Sequence, residues 1–261
     1  MNISATILNI LELNELDGIW RPKVIFRMEW FDTRLKMQNL KDDLQLNVLA
    51  NEERNDIWIT IVIFDNNNEN QRFVLDKKVS LVVRKEGKGT PNTYNDLDAA
   101  EIFDGAENPV IYTRIYSTNF ECDFNLRNYP FDSQRCYMEL GVPQSLESKV
   151  EIIADNVLFN GSTDLPQFQV KMSFVDTKHG KAYFIVILQR KFAYHLVSVY
   201  IPSLSLLAIS LVTMHISVDH FEANIMLHLT AMLVMYTLFQ AISISLPQVT
   251  KPLVNFASKH T

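Results

Sequence analysis

The chain has 261 residues, a formal net charge of −6 and 21% charged residues, with a mean hydropathy near zero. That average conceals an asymmetry: residues up to about 193 are polar and strand-like, while those beyond 195 are strongly apolar. A water-exposed domain followed by membrane segments is the reading, and the lack of a basic patch or arginine-rich run excludes nucleic acid as a partner. No signal peptide is visible at Met1. An extracellular domain needs one, so a mature or engineered chain is expected.

In chain order, the β-rich runs are 3–13, 23–30, 57–64, 78–84, 110–120, 136–141, 168–175 and 182–190. Several alternate apolar with polar side chains, and turn formers such as Asp17-Gly18 and His179-Gly180 separate them. Evenly spaced short strands without long helical patterns predict a β-sandwich. The polar stretch 86–105, with its Gly87-Lys88-Gly89-Thr90-Pro91 run, predicts a long loop. Asn2-Ile3-Ser4 and Asn160-Gly161-Ser162 fit the glycosylation sequon. The two cysteines, Cys122 and Cys136, enclose thirteen residues with Tyr129-Pro130-Phe131-Asp132 at the tip. Spacing alone leaves two readings open, a disulfide-closed loop in an oxidising compartment or two unrelated buried thiols.

Residues 196–216 contain no Asp, Glu, Lys or Arg and reach roughly 30 Å as a helix, enough for a bilayer core. Pro202 lies in the first third, which a membrane helix tolerates. Residues 225–246 form a second span that ends before Pro247. Met226, Thr230, Leu233, Thr237, Gln240 and Ile244 recur at spacings of four and three and share one helical face. That face fits a helix–helix interface, and it equally fits a pore wall wetted by Thr and Gln with a dewetting ring at Leu233. No nucleophile elbow, P-loop, zinc motif or paired-carboxylate signature is present, and the six histidines show no metal spacing. Neither an enzyme nor a cofactor nor a metal is expected. His220 and His228 fall near the candidate pore, where proton sensing is a minor alternative to packing.

The Cys122–Cys136 stretch, with its spacing and its Tyr-Pro-Phe-Asp tip, resembles the signature of the Cys-loop receptors, the pentameric ligand-gated ion channels. Trp30-Phe31-Asp32-Thr33-Arg34-Leu35 is similar to that family's Trp-x-Asp-x-x-Leu motif. Ile57-Trp58 followed by Asn66 resembles its loop A region, with Thr60 and Ile61 in place of the usual Pro-Asp. Arg190-Lys191 and the run from Tyr194 to Ser203 resemble the arginine and the helix start at the membrane. Counted back from Pro247, Leu233 falls on the family's gate leucine.

The resemblance implies a Cys122–Cys136 disulfide and a mainly β, Ig-like extracellular sandwich of about ten strands followed by transmembrane α-helices. It sets the domains at 1–193 for the ligand-binding sandwich, 194–217 for the first helix, 222–247 for the pore-lining helix and 248–261 for the start of the next linker. The family has four membrane helices per subunit, so a chain truncated after the second is expected. A plasma-membrane location with residues 1–193 outside the cell is implied. So is a homopentamer with a small-molecule ligand between subunits, lipid around it, permeating ions within it and no cofactor.

Family agonists bind where loops A, B and C of one subunit meet the strands and loop F of its neighbour. Here loop B, at Gly141-Val142-Pro143-Gln144-Ser145, and the short loop C at 176–180 lack the aromatic cage that usually holds cationic transmitters. Phe64, Phe174 and Tyr183 remain as aromatic candidates, or else as core residues. On the complementary side Ile25, Arg27 and Glu29 share a strand face. Arg27 matches the carboxylate-binding arginine of glycine, GABA and glutamate receptors, and Thr113 matches a hydroxyl that shares that carboxylate. The other reading of Arg27 is a surface partner of Glu29. Ile25 and Ile111 complete the candidate ligand set.

The segment Asp219-His220-Phe221-Glu222-Ala223-Asn224 carries neither the Pro-Ala-Arg of anion channels nor the Gly-Glu-Lys of cation channels. A ring of five Glu222 carboxylates leans the expectation toward cations, unless Glu222 only complements the helix dipole. The alternative is an anion-selective channel gated by a carboxylate-bearing ligand, or a receptor of this fold without channel activity. Coupling of sandwich to membrane is expected from Arg190 with Asp132 or with Glu15 or Asp17 of the first turn, beside Pro130 and Phe131.

Overall fold

The structure, a computed structural model, describes residues 1–49, 54, 57–67, 80–91, 101–213 and 221–245. It divides into two compact units. The first comprises Met1–Leu13, Ile19–Asp123 and Ser133–Gln189; the second comprises Asn14–Gly18, Phe124–Asp132 and Arg190–Thr261.

The described residues contain thirteen strands. They are β1 (Asn2–Asn14), β2 (Ile19–Trp30), β3 (Lys36–Gln38), β4 (Ile63–Phe64), β5 (Ser80–Val83), β6 (Thr90–Pro91) and β7 (Glu101–Asp104). There follow β8 (Val110–Ser117), β9 (Phe120–Glu121), β10 (Ser133–Gly141), β11 (Ile153–Phe159), β12 (Phe168–Lys178) and β13 (Lys181–Arg190). One sheet runs β11-β1-β2-β8-β5 with β9 joined to β2; a second runs β12-β13-β10-β4; a small third runs β3-β7-β6.

Strand β2 shows why the sandwich closes. Trp20, Val24, Phe26, Met28 and Trp30 are buried while Ile25, Arg27 and Glu29 are half-buried, the two-residue alternation of a strand with one face on a core. Phe26 meets Phe64, Tyr116 and Phe184 at centroid distances of 5.7, 5.8 and 5.6 Å. Phe184 belongs to the second sheet, so this ring cluster joins the two layers. Each such side chain contributes about 1.5–3 kcal/mol by leaving water. Cys122 and Cys136 are bonded, with their Cα atoms 5.0 Å apart and both residues buried. Closing that loop contributes about 3 kcal/mol by the chain-entropy argument.

The structure corrects several strand assignments. The run 57–64 is strand only at Ile63–Phe64. The expected loop 86–105 contains β6 and β7, which pair with each other. β11 was not expected as a strand; it pairs in parallel with β1. A parallel partner 150 residues away leaves no hairpin turn between the two runs for the sequence to display. Residues 78 and 79 lie outside the described residues.

The second unit holds the turn 14–18, the loop Phe124–Asp132 and the helices. Helix α1 (Phe192–His195) runs into a π-helical turn at Leu196–Tyr200 and then α2 (Ile201–Thr213); α3 spans Phe221–Ser245. The widened turn stands just before Pro202, where a helix must accommodate a residue with no N–H. Leu196–Thr213 and Asn224–Ile242 are long and apolar enough to cross a membrane. Described helix runs from Phe192 in the first span and from Phe221 in the second. Residues 214–217 and 246–261, with Pro247 among them, lie outside the described residues.

Candidate functional site

The strand register brings Arg27 and Thr113 together. They are direct cross-strand partners on β2 and β8, and Ser80 on β5 is the next partner of Thr113. Arg27, Thr113 and Ser80 thus form one polar row across three strands, all half-buried. The Arg27 side chain is 41% exposed, and its nearest carboxylate oxygen, on Glu29, is 3.8 Å away, beyond hydrogen-bonding distance. Glu29 is held by Arg84, which pairs with it through both Nη atoms. Arg27 is thus a loose ion-pair partner of a Glu29 that Arg84 binds more closely. Ile25 is half-buried on the same face, whereas Ile111 is buried at 3% exposure and offers a ligand almost no surface. Ser80 and Arg84 went unnoticed in the sequence because β5 is too short to show a period.

The aromatic candidates divide differently. Phe64 is half-buried and packs edge-on against Tyr116 and Phe120 at 5.2 and 5.4 Å, so its ring is taken up by the aromatic cluster between the sheets. Tyr183 on β13 donates its hydroxyl to Glu139 at 3.2 Å. Burial, then the Glu139 carboxylate, pushes that phenol up. It shares a shallow cavity of about 320 Å³ with Arg135, Tyr137, Asp176, Lys178 and Ile185. Phe174 lies under the Arg135 guanidinium, 5.5 Å from it.

The stretches assigned to loops A, B and C converge in the first unit on a cavity of about 760 Å³. Ile63 and Asp65 line it from the loop A side, Gly141, Val142 and Gln144 from loop B, and His179, Gly180 and Lys181 from loop C, with Glu147, Lys149 and Glu151 beyond. Lys181 bridges Asp65 at 2.6 Å and Glu139 at 2.9 Å. Its hydrogen bonds to Asp65 and then Glu139 hold the ammonium well above its ordinary range. Asn66 positions this end of the sheet: its amide donates to the Tyr137 carbonyl at 2.8 Å and accepts from the Glu139 N–H at 2.8 Å. The lining is charged, in keeping with the absence of an aromatic cage.

Within the second unit Arg190 is enclosed, with 2% of its side chain exposed. Its Nε donates to Asp132 at 2.7 Å and its Nη1 to Glu15 at 2.8 Å, while Nη2 serves both carboxylates. Burial alone would lower the guanidinium's pKa, but the bonds to Glu15 and Asp132 outweigh it and the net shift is upward. Asp17 takes no part; it accepts from the Asn14 amide at 2.7 Å and only shapes the turn. Pro130 is buried after a cis peptide bond, and Phe131 reaches the Phe192 ring at 5.2 Å. The Arg190 guanidinium also lies 4.9 Å from the Tyr129 ring, whose hydroxyl is 2.9 Å from His195 Nδ1. Tyr129 stands at the loop tip that the sequence singled out, and His195 lies in the run that resembles the helix start, but the contact between them was not expected.

On α3, Met226, Thr230, Leu233, Thr237 and Gln240 are all exposed. Thr230 and Thr237 return their hydroxyls to the carbonyls of Leu227 and Val234, each at 2.8 Å. Gln240 donates to the Tyr236 hydroxyl at 2.8 Å. The Ile244 side chain lies outside the described residues. The half-buried positions are Asn224, His228, Ala231, Leu238 and Ile242, and α2 and α3 pack on each other. At about 100° per residue the two sets point roughly 160° apart. His228 therefore lies away from the candidate pore face, and Asp219 and His220 lie outside the described residues. Glu222 is exposed in the first turn of α3, where a carboxylate complements the helix dipole.

Residues 1–197 match the family model of the neurotransmitter-gated ion-channel ligand binding domain. The chain is similar to the glutamate-gated chloride channel of Drosophila melanogaster, 25% identical over 261 residues that cover 96% of this chain and 52% of that protein. It is also similar to the gamma-aminobutyric acid receptor subunit beta of Caenorhabditis elegans, 23% identical over 91% of this chain and 42% of that one. A third relative is the gamma-aminobutyric acid receptor subunit beta-4 of Gallus gallus, 23% identical over 95% and 49%. The chain spans about half the length of the curated relatives it matches. The lean to cations drawn from Glu222 finds no support here: a chloride channel stands among these relatives, and the dipole accounts for the carboxylate. A β-sandwich with a disulfide-closed loop, followed by two helices long and apolar enough to cross a membrane, accompanies the match over residues 1–197, and the chain belongs to the neurotransmitter-gated ion-channel family, the Cys-loop receptors, membrane receptors and not enzymes, with the β domain outside the cell.

Proposed function

We propose that the chain is a subunit of a pentameric anion channel opened by a carboxylate-bearing small molecule held between neighbouring β domains. In this reading residues 1–193 bind ligand, 194–217 form the first membrane helix and 222–247 line the pore, with 248–261 leading onward. The observation that carries it is the row of Arg27, Thr113 and Ser80, with a guanidinium whose neighbouring acid is held by Arg84. A planar fork of donors on a half-exposed strand face suits bidentate capture of a carboxylate. The names of the relatives, a glutamate-gated chloride channel and receptors for gamma-aminobutyric acid, support the same ligand chemistry and favour anions over cations. Five copies of this one chain would complete the ring.

The test is electrophysiology on the full-length protein expressed alone in oocytes, with glutamate, gamma-aminobutyric acid and glycine as probes and with chloride or sodium replaced. Current whose reversal follows chloride is expected. Reversal that follows sodium would restore the cation reading, and silence toward every probe despite surface expression would remove the proposal.

A further inference from the structure

The pore helix carries one histidine in the stretch Asn224–Ile242, His228, and it is turned toward α2. Its Nδ1 lies 3.0 Å from the Ser210 hydroxyl and its Nε2 lies 3.3 Å from the Thr213 hydroxyl. Thr213 already donates its only hydroxyl proton to the Ser210 carbonyl at 2.8 Å. It must therefore accept from His228, which puts an imidazole proton on Nε2, while Nδ1 is the partner of the Ser210 hydroxyl. Both ring nitrogens meet hydroxyls of one neighbouring helix.

We infer that His228 is a positioning residue that fixes the rotation of the pore helix about its own axis. A helix in lipid has little apolar force setting its rotation, because lipid and apolar side chains are alike, and polar interhelical bonds become the orienting contacts. Two bonds from one rigid ring to hydroxyls three positions apart on α2 oppose rotation, where a single bond would act as a pivot. The face opposite His228 is the stripe of Met226, Thr230, Leu233, Thr237 and Gln240. By holding one face to α2, His228 presents the other for lining a pore. This inference rests on the channel reading for its consequence, but not for the contact itself.

Two measurements separate the contact from that consequence. In the first, the full-length chain carries Ser210→Cys with His228→Cys and a protease site inserted between residues 213 and 221. It is treated in membranes with a short bifunctional thiol reagent and then cut. Cys122 and Cys136 are bonded to each other on the N-terminal side of the cut, and any cysteine beyond residue 261 is replaced by serine, so that only the engineered pair can join the fragments. Joined fragments are expected for the 210/228 pair and separate fragments for Ser210→Cys with Leu233→Cys; the reverse pattern would overturn the inference whether or not the protein conducts.

The second measures the half-activating ligand concentration for His228→Leu, Ser210→Ala and their combination, normalised to surface protein. The double variant is expected to depart from additivity by about threefold, and His228→Gln, which keeps a donor and an acceptor, to regain most of the coupling. Additive effects would overturn the positioning role. Absence of current in every form, wild type included, would remove the channel reading and this role with it, while the fragment pattern would still decide the contact.

Discussion

Two arginines of this chain live on opposite terms. Arg190 is enclosed, spends its guanidinium on Glu15 and Asp132, and lies beneath Tyr129. Arg27 keeps 41% of its side chain exposed, and its neighbour Glu29 is held by Arg84. The residue type is identical, so the difference lies in which carboxylates the fold brings within reach. Where two acids converge on a buried guanidinium, the arginine holds structure together. Where the nearest acid is bound more closely by another arginine, the guanidinium keeps exposed surface, as the proposed ligand role requires.

The largest effect that tests this contrast is Arg190→Ala. It leaves two acids without their cation, and breaking such a pair by removing one partner costs about 3–5 kcal/mol. Loss of folded protein at the surface, or of ligand response where protein remains, is expected by surface labelling and recording. Normal expression together with normal response would equate Arg190 with an ordinary surface charge. Arg190→Lys should recover only part, since an ammonium cannot serve two carboxylates with a fork of donors.

Arg27→Ala should do the reverse. Surface protein stays at wild-type level, because the Arg27 side chain makes no hydrogen bond among the described residues, while the half-activating concentration of a carboxylate ligand rises about 10- to 100-fold. A fall in expression with unchanged sensitivity would move Arg27 to the structural side of the comparison. Thr113→Ala is expected to shift sensitivity in the same direction by a smaller factor.

A third contrast sets the two faces of α3 against each other. Leu233→Thr, on the face away from α2, should raise ligand-independent current several-fold by easing the wetting of a hydrophobic constriction. A leucine packed against other helices would instead give less surface protein and no added leak. Leak measured per surface receptor distinguishes the two.

The smallest effect concerns Asp32. Its hydrogen bond from Arg34, at 2.7 Å, holds the carboxyl below its usual range, against burial, which pushes it upward. The depressed folded pKa means that this pair stabilises the fold above the unfolded carboxylate range near pH 4 and that the contribution is lost as pH falls through the folded value. Melting in detergent should therefore fall by about 2 °C more for wild type than for Asp32→Asn between pH 5 and pH 3. Parallel curves would show that Arg34, which is largely exposed, lends the carboxylate nothing.

The sequence by itself determined what rests on short-range pattern. The alternation in β2, the two apolar spans and the face shared by Met226, Thr230 and Leu233 follow from periods of 2 and 3.6, which a local window displays. The Cys122–Cys136 loop and the Arg190 partners came from motif resemblance, and the geometry agrees with both except at Asp17, which turns to Asn14. Tertiary structure alone decided the matters of partnership. It paired β11 in parallel with β1, found β6 and β7 within a polar stretch, and packed Phe64 into an aromatic cluster. It also assigned Glu29 to Arg84 and turned His228 toward Ser210. These choices depend on which distant segments lie side by side. Strand register and helix rotation are set by non-local packing, and no local period encodes which of two acids an arginine will meet.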